Sequence, residues 1–300
     1  MLSLYLTLGA LSGMFVSVMV VANTLLGEAT TMGVSLLVNH IIGLALISAL
    51  LLFGRKKKAI RGPGKPAPWY LYFNGLFGLA ILNINFVTIL SVGASLAMAA
   101  AVFGQALISV IYDLTGALGM QKRSLNRTKV LGLFIGAIGI VVMGNAAERG
   151  SFALFPILLS AFAGMLTMTQ MILNSTFATY KGSVRSAQQN FLSGLVAGAI
   201  FYLLFFRRET IDGFIALGDL PILLIVSGGV LAIVVVILSN YVVVKIPAVY
   251  SALLMSAAQI LTSLLIDTLF FDRFSLSLLF GALLLLVGMA LNLYGDTKSE

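Results

Sequence analysis

The sequence predicts an all-α membrane protein of ten transmembrane helices, arranged as two five-helix repeats of inverted topology. Three observations carry that prediction. Of the 300 residues, 60% are hydrophobic and 9% charged, with a mean hydropathy of +1.09, a balance that water-soluble domains do not show. In hydrocarbon only helices and closed barrels satisfy their own backbone, and the apolar runs here reach the roughly 20 residues of a spanning helix, not the alternating segments of about 10 residues that build a barrel. Finally, much of the chain is written twice.

The clearest duplication relates residues 9–43 to 160–194 at a constant offset of 151, without a gap. Gly13-Met14 returns as Gly164-Met165, Asn23 as Asn174, Ser35 as Ser186, Asn39 as Asn190 and Gly43 as Gly194. A second block at an offset of 154 pairs Gly75 with Gly229, Gln105 with Gln259, Ser109 with Ser263 and Asp113 with Asp267. A third at 149 pairs Gly132 with Gly281 and Gly139 with Gly288. Internal duplication in so apolar a chain marks a transporter made of two repeats. The repeats divide the chain into 1–147 and 148–300.

Apolar runs between charged or Pro/Gly-marked breaks give spans over 3–25, 31–53, 68–91, 95–115 and 128–146 in the first repeat, and 152–174, 186–206, 220–244, 248–270 and 275–294 in the second. The first span lacks a basic leader and a small-residue cleavage site, so it is expected to be retained. The one conspicuously polar connector, residues 54–66, is basic and flexible; it reads as an anchor at the membrane surface, not as a nucleic-acid site. Twelve Met and no Cys exclude a disulfide scaffold or a thiolate metal site.

Short loops rich in Lys and Arg stay in the cytoplasm. With both termini inside, Arg55, Lys56, Lys57, Lys58, Arg61, Lys65, Lys122, Arg123, Arg127, Lys129, Lys181, Arg185, Lys245 and Lys298 fall inside, and only Arg149, Arg207, Arg208 and Arg273 outside. That division predicts a multi-pass protein of the cytoplasmic membrane with both termini cytoplasmic. Five spans per repeat is an odd number, so the second copy enters from the opposite face. Two similar but inverted halves can exchange conformations, which is the physical basis of alternating access.

The arrangement resembles the drug/metabolite transporter superfamily. Pro68-Trp69-Tyr70 and the stretch Gly104-Gln105-Ala106-Leu107-Ile108-Ser109-Val110-Ile111-Tyr112-Asp113-Leu114 resemble its YdcZ-type branch. The second copy, from Ala258-Gln259 through Thr262-Ser263 to Ile266-Asp267, keeps the Gln, Ser and Asp but has Ala where the first has Gly. The resemblance covers nearly the whole chain as two tandem modules, and it implies a carrier of small metabolites. In the first span, where proton-coupled small multidrug exporters of that superfamily carry a Glu, this chain has Met14.

Polar side chains near the bilayer midplane are costly unless they meet partners or water, so they are the natural site candidates. Gln105, Gln259, Asn39, Asn190 and His40 fall nearest the middle of their spans. Asn83, Asn85, Ser239 and Asn240 lie toward the outer ends of the third and eighth. These are the expected substrate-binding groups, against the alternative that they bridge helices at about 0.6 kcal/mol each. His40 has no counterpart in the second copy, where Phe191 stands. Asp113, Asp267, Ser109 and Ser263 are expected to gate or to serve structure, the carboxylates by capping the next helix or pairing with a loop Arg or Lys. They are no aspartyl-protease pair, since two catalytic carboxylates must share a site and these are expected at opposite faces. No HExxH, GxSxG or phosphate-cradling loop appears. The Gly9/Gly13, Gly132/Gly136 and Gly194/Gly198 spacings are helix-packing patterns.

No Asp or Glu falls in the middle third of any span, and a buried carboxylate is the usual means of exchanging a cation for protons. The expected function is therefore transport of a small polar or zwitterionic metabolite by alternating access, as export or facilitated diffusion. The alternative is a non-transporting membrane protein or a lipid-handling, flippase-like subunit. No enzyme activity, cofactor or metal is expected. The expected partners are a small-molecule substrate and the lipid bilayer, without nucleic acid. A monomer is consistent with both repeats lying in one chain, and a homodimer is the other possibility.

Overall fold

The computed structural model describes residues 2–53, 63–120, 122, 124–145, 154–243 and 248–297. Most of the basic connector, Arg149, Lys245 and the side chains of Ser239 and Asn240 lie outside that set. Among the described residues there are no strands. The helices of the first repeat are α1 (Leu2–Ala29), α2 (Met32–Phe53), α3 (Leu76–Val92), α4 (Ala94–Thr115) and α5 (Arg127–Asn145). Those of the second are α6 (Leu154–Lys181), α7 (Ser183–Phe205), α8 (Arg207–Ala216), α9 (Ile222–Val243), α10 (Ala248–Phe271) and α11 (Leu276–Thr297).

Nine helices among the described residues are long and apolar enough to cross a membrane, and the bent pair of α8 and α9 makes the tenth candidate. The molecule is an all-α membrane protein. Two elements differ from the sequence expectation. The third apolar run begins with a 3-10 turn, Trp69–Phe73, before α3 starts at Leu76. The stretch after the seventh span, expected as a loop, forms α8 and a 3-10 turn, Leu217–Asp219, and meets α9 at 111°. With Arg207, Arg208, Glu209 and Asp212 on its exposed side and Thr210 and Gly213 buried, α8 has the make-up of a helix lying in a membrane interface.

The helices gather into two compact units, and each unit draws on both repeats. The first comprises Met1–Val18, Val87–Met168 and Leu238–Glu300, and the second Met19–Phe86 and Thr169–Ile237. In the first unit, Leu96, Ala100 and Val102 of α4, Ile140 and Met143 of α5, Ile260 and Leu264 of α10, and Ala282 and Leu285 of α11 form one apolar core. The outward faces are apolar too, as Phe134 and Phe280 illustrate; such faces suit lipid and not water.

In hydrocarbon, helices associate through close packing of small residues. Here a Cβ at Gly132 would overlap the Gly288 carbonyl, and one at Gly139 would come within 2.6 Å of the Gly281 carbonyl oxygen. Residue numbers fall along α11 as they rise along α5, so these two equivalent helices run antiparallel. The same register appears between α4 and α10, where Ser95 meets Ser263 and Asp267 while Met98 meets Gln259. Gly13 packs on the Met255 carbonyl and its duplicate Gly164 on that of Ala101; Met255 and Ala101 are themselves equivalent at the 154 offset. The contacts are thus reciprocal between the repeats.

The second unit obeys the same rule. On α2 and α7, Leu36 packs against Gly198, His40 against Gly194, Gly43 against Phe191, and Ser48 accepts from Gln188 at 2.9 Å. These equivalent helices are again antiparallel. Helices equivalent in sequence that run antiparallel are what inverted topology requires.

Candidate functional site

The amides of the second unit form two related clusters. In the first repeat, Ser35 Oγ donates to the Asn23 carbonyl at 2.6 Å; in the second, Ser186 Oγ donates to the Asn174 carbonyl at 2.7 Å. Each bond clips a helix to its successor over twelve residues. Asn39 Nδ2 then donates to Asn23 Oδ1 at 3.1 Å. The duplicate residues make different bonds. Asn174 Oδ1 accepts from Asn74, and Asn190 Oδ1 accepts from Gln170 Nε2 at 3.1 Å, while Gln170 Nε2 also reaches the Asn74 carbonyl at 3.2 Å.

A glycine explains why the clusters diverge. Asn74 corresponds to Gly228 at the 154 offset, and a Cβ at Gly228 would overlap Asn23 Oδ1. In one repeat an Asn side chain fills the contact; in the other a bare backbone admits the opposing amide. Beside the second cluster, Ser193 Oγ receives the Gly75 N–H at 3.0 Å, and Gln189 Nε2 donates to the Tyr72 carbonyl at 2.9 Å.

His40 is buried, its Nδ1 lies 2.8 Å from the Leu36 carbonyl, and its ring meets Phe191 edge to face. The bond to a carbonyl places the proton on Nδ1 and leaves Nε2 as an acceptor. Asn83 has both ends of its amide engaged, Nδ2 donating to the Leu79 carbonyl at 2.6 Å and Oδ1 accepting from the Tyr202 hydroxyl. Asn85 lines a cleft with Asn23, Ser35, Val20, Leu82 and Phe86.

In the first unit, Gln259 is buried and its Nε2 lies 3.3 Å from Met98 Sδ. Met98 precedes Gln105 by seven residues on α4, about 10 Å of helix, so the two Gln flank the crossing of α4 and α10 instead of standing side by side. Ser109 Oγ bonds the Gln105 carbonyl at 2.8 Å and Ser263 Oγ that of Ile260 at 2.8 Å, both within their own helices. The two carboxylates, equivalent in sequence, serve different ends. Asp267 is buried at the start of α4, where Oδ1 accepts the Ala94 N–H at 3.0 Å and Oδ2 the Ser95 N–H at 2.6 Å together with the Ser95 hydroxyl. Asp113 pairs at 2.9 Å with Lys129, whose side chain is only 1% exposed. Lys129 sits in the first turn of α5 and is buried, where the sequence counted it only among the basic residues of the cytoplasmic side. Among the described residues no three His, Asp or Glu converge in a way that would hold a metal.

Sequence reasoning passed over Asn23, Asn74, Gln170 and Asn174 as site residues. The recurrence of Asn23 as Asn174 was the available signal. Gln170 and Asn74 carry none, because Met19 and Gly228 stand at their duplicate positions.

Spans that fall into two sequence-related sets, with equivalent helices antiparallel, define a polytopic membrane protein built as an inverted repeat. A model of the family described as "Putative inner membrane exporter, YdcZ" matches this chain twice, over residues 4–142 and 155–291. The chain belongs to that family, the YdcZ type of drug/metabolite transporter, as two tandem copies. That family is described as one of inner membrane exporters. No curated protein gives a match. A protein crystal structure matches at 19% identity with a TM-score of 0.61, over 99% of this chain and 96% of its own; the likeness is one of fold.

Proposed function

We propose that the protein carries a small polar or zwitterionic metabolite across the cytoplasmic membrane by alternating access, in the direction of export or down its gradient, with both termini in the cytoplasm. The observation that carries this reading is the reciprocal, antiparallel crossing of α5 with α11, α4 with α10 and α2 with α7. Each crossing joins equivalent helices, so exchanging the conformations of the two repeats carries each packing seam onto itself and puts the opening on the other face. The amide chemistry supports an uncharged or zwitterionic cargo, because an amide both donates and accepts. The charged groups argued above are committed elsewhere, Asp113 to Lys129 and Asp267 to a helix end.

Within this reading Asn39, Asn190, Asn85 and His40 belong to the unit where the polar groups cluster and are the substrate-facing set. Gln105 and Gln259, flanking the crossing of α4 and α10, suit gating or a second polar contact. Asp113, Asp267, Ser109 and Ser263 hold the gates' framework. Purified protein in liposomes, loaded in turn with radiolabelled amino acids, nucleobases, amines and sugars, tests the reading. It requires saturable flux of at least one solute. Scrambling of a fluorescent phospholipid without flux of any solute would establish the lipid-handling alternative.

A further inference from the structure

The two ends of the second unit differ in charge. Its acidic residues, Glu28, Glu209, Asp212 and Asp219, all lie at one end. Glu28 stands in the last turn of α1, and α8 lies over the start of α2, where Gly213 meets Thr31 and Val34. Because α2 runs antiparallel to α7, the junction of α6 and α7 marks the opposite end. The charged residues described there are Lys65, Lys181 and Arg185, and all are basic.

The fold brings these three to one corner. Lys181 ends α6, Gly182 turns the chain at a φ of 88°, and Arg185 falls in the first turn of α7. Lys65 joins them because its backbone N–H donates to the Tyr180 carbonyl at 2.9 Å. Among the described residues none of the three side chains meets a carboxylate. Close by in the chain, the 3-10 turn Trp69–Phe73 is seated by Leu71, which is buried against Leu173 and Phe177, and by Tyr72, whose ring meets Phe177 edge to face at 5.0 Å. That seating leaves Trp69, Tyr70 and Phe73 facing outward, 76%, 50% and 54% exposed, with the indole roughly perpendicular to both other rings. Trp and Tyr join an apolar body to a polar tip and belong at the headgroup level of a bilayer.

We propose that this corner binds an anionic phospholipid, the headgroup phosphate against Lys65, Lys181 and Arg185, and the glycerol and upper acyl chains against the ridge of Trp69, Tyr70 and Phe73. Basic side chains at a membrane surface attract anionic lipid, and no carboxylate of the unit lies at this end to compete. A zwitterionic headgroup would bring its own cation into the same corner and gain less. In the orientation proposed above the lipid belongs to the cytoplasmic leaflet. The site concerns binding at equilibrium and stands apart from the question of cargo.

Trp69 is the single tryptophan of the chain, so its fluorescence reports which lipid occupies the ridge. The full chain is placed in phosphatidylcholine nanodiscs that contain a brominated lipid as quencher. Brominated phosphatidylglycerol should quench Trp69 at least twofold more than brominated phosphatidylcholine at equal mole fraction, and high salt should shrink the excess. Lys65→Gln, Lys181→Gln and Arg185→Gln together should remove most of it, whereas Arg207→Gln with Arg208→Gln, at the other end, should leave it unchanged. Should the triple variant fail to fold, each single Gln variant should still lower the excess. Equal quenching by the two lipids, an excess that survives removal of the three cations, or one abolished by the Arg207 and Arg208 changes overturns the proposal. So does binding of deca-glutamate to the detergent-purified protein when the two lipids quench alike, which would assign the corner to an acidic protein.

Discussion

His40 rests against Phe191, the residue that takes its own place in the second repeat, with ring centroids 5.9 Å apart and planes at 76°. The contact straddles the point where α2 and α7 cross, and the His ring also fills the space over Gly194, where an added Cβ would overlap Nε2. Gly194→Ala should therefore destabilise the protein by about 1–3 kcal/mol through overpacking. In a His40→Ala background the same change should cost much less, because the ring that it strikes is gone. Thermal unfolding of the four proteins in detergent measures this coupling. Equal costs in both backgrounds would remove His40 from the packing role.

The ion pair of Asp113 and Lys129 is a second two-residue unit with a testable energy. Removing one partner leaves a buried charge uncompensated, a loss of about 3–5 kcal/mol, whereas replacing both with apolar groups is often neutral. Lys129→Met and Asp113→Leu should each lower stability strongly, and the double variant should recover most of the loss. A double variant no better than the worse single one would show that Lys129 is held by other groups.

Asp267 satisfies the first N–H groups of α4. Such caps contribute about 0.5–2 kcal/mol, and Asp267→Ala should speed hydrogen exchange at Ala94 and Ser95 while α5 and α11 remain protected. Asp267→Asn retains the shape and should keep flux that does not require a pH gradient. Uptake that depends strictly on a pH gradient in wild type and vanishes in this variant would reverse the argument that transport proceeds without a titrating carboxylate.

Orientation is checked by single cysteines in a chain that has none. Cysteine at Lys65, or at Lys57 in the basic connector, should resist an impermeant thiol reagent in intact cells, and cysteine at Asp219 after α8 should react. Labelling at 57 and 65 with protection at 219 would invert the topology.

Gln105→Leu and Gln259→Leu should leave folding nearly intact, since Leu suits a bilayer, and should weaken transport by about 1 kcal/mol where a hydrogen bond to solute is lost. Asn39→Leu should cost more, because it also strips Asn23 Oδ1 of its donor. Transport unchanged in both Gln variants but abolished in Asn39→Leu and Asn190→Leu would confine binding to the second unit.

The spans were legible because hydrocarbon imposes length and apolarity on each one, as the near coincidence of the run 95–115 with Ala94–Thr115 shows. The repeat was legible because it preserves spacing. α8 escaped notice since its residues are mixed in polarity and its partners Thr31 and Val34, which meet Gly213, lie just before and in the first turn of α2. The amide clusters escaped for a related reason. Asn74 and Asn174 meet across 100 residues, and no periodicity along one helix encodes a bond between two. Capping by Asp267 was foreseeable in kind, but the helix that it caps lies 172 residues earlier.

The glycine seam of α5 and α11 carries a consequence for assembly. Gly132 faces Gly288 and Gly139 faces Gly281, so each surface is presented once by either half, and the seam is isologous in the sense of a two-fold dimer. The single chain is in this respect a homodimer whose protomers have been joined end to end and have since drifted apart. Halves made separately, 1–147 and 148–300, would each expose a bare glycine face that only the other half, or a second copy of itself, can cover.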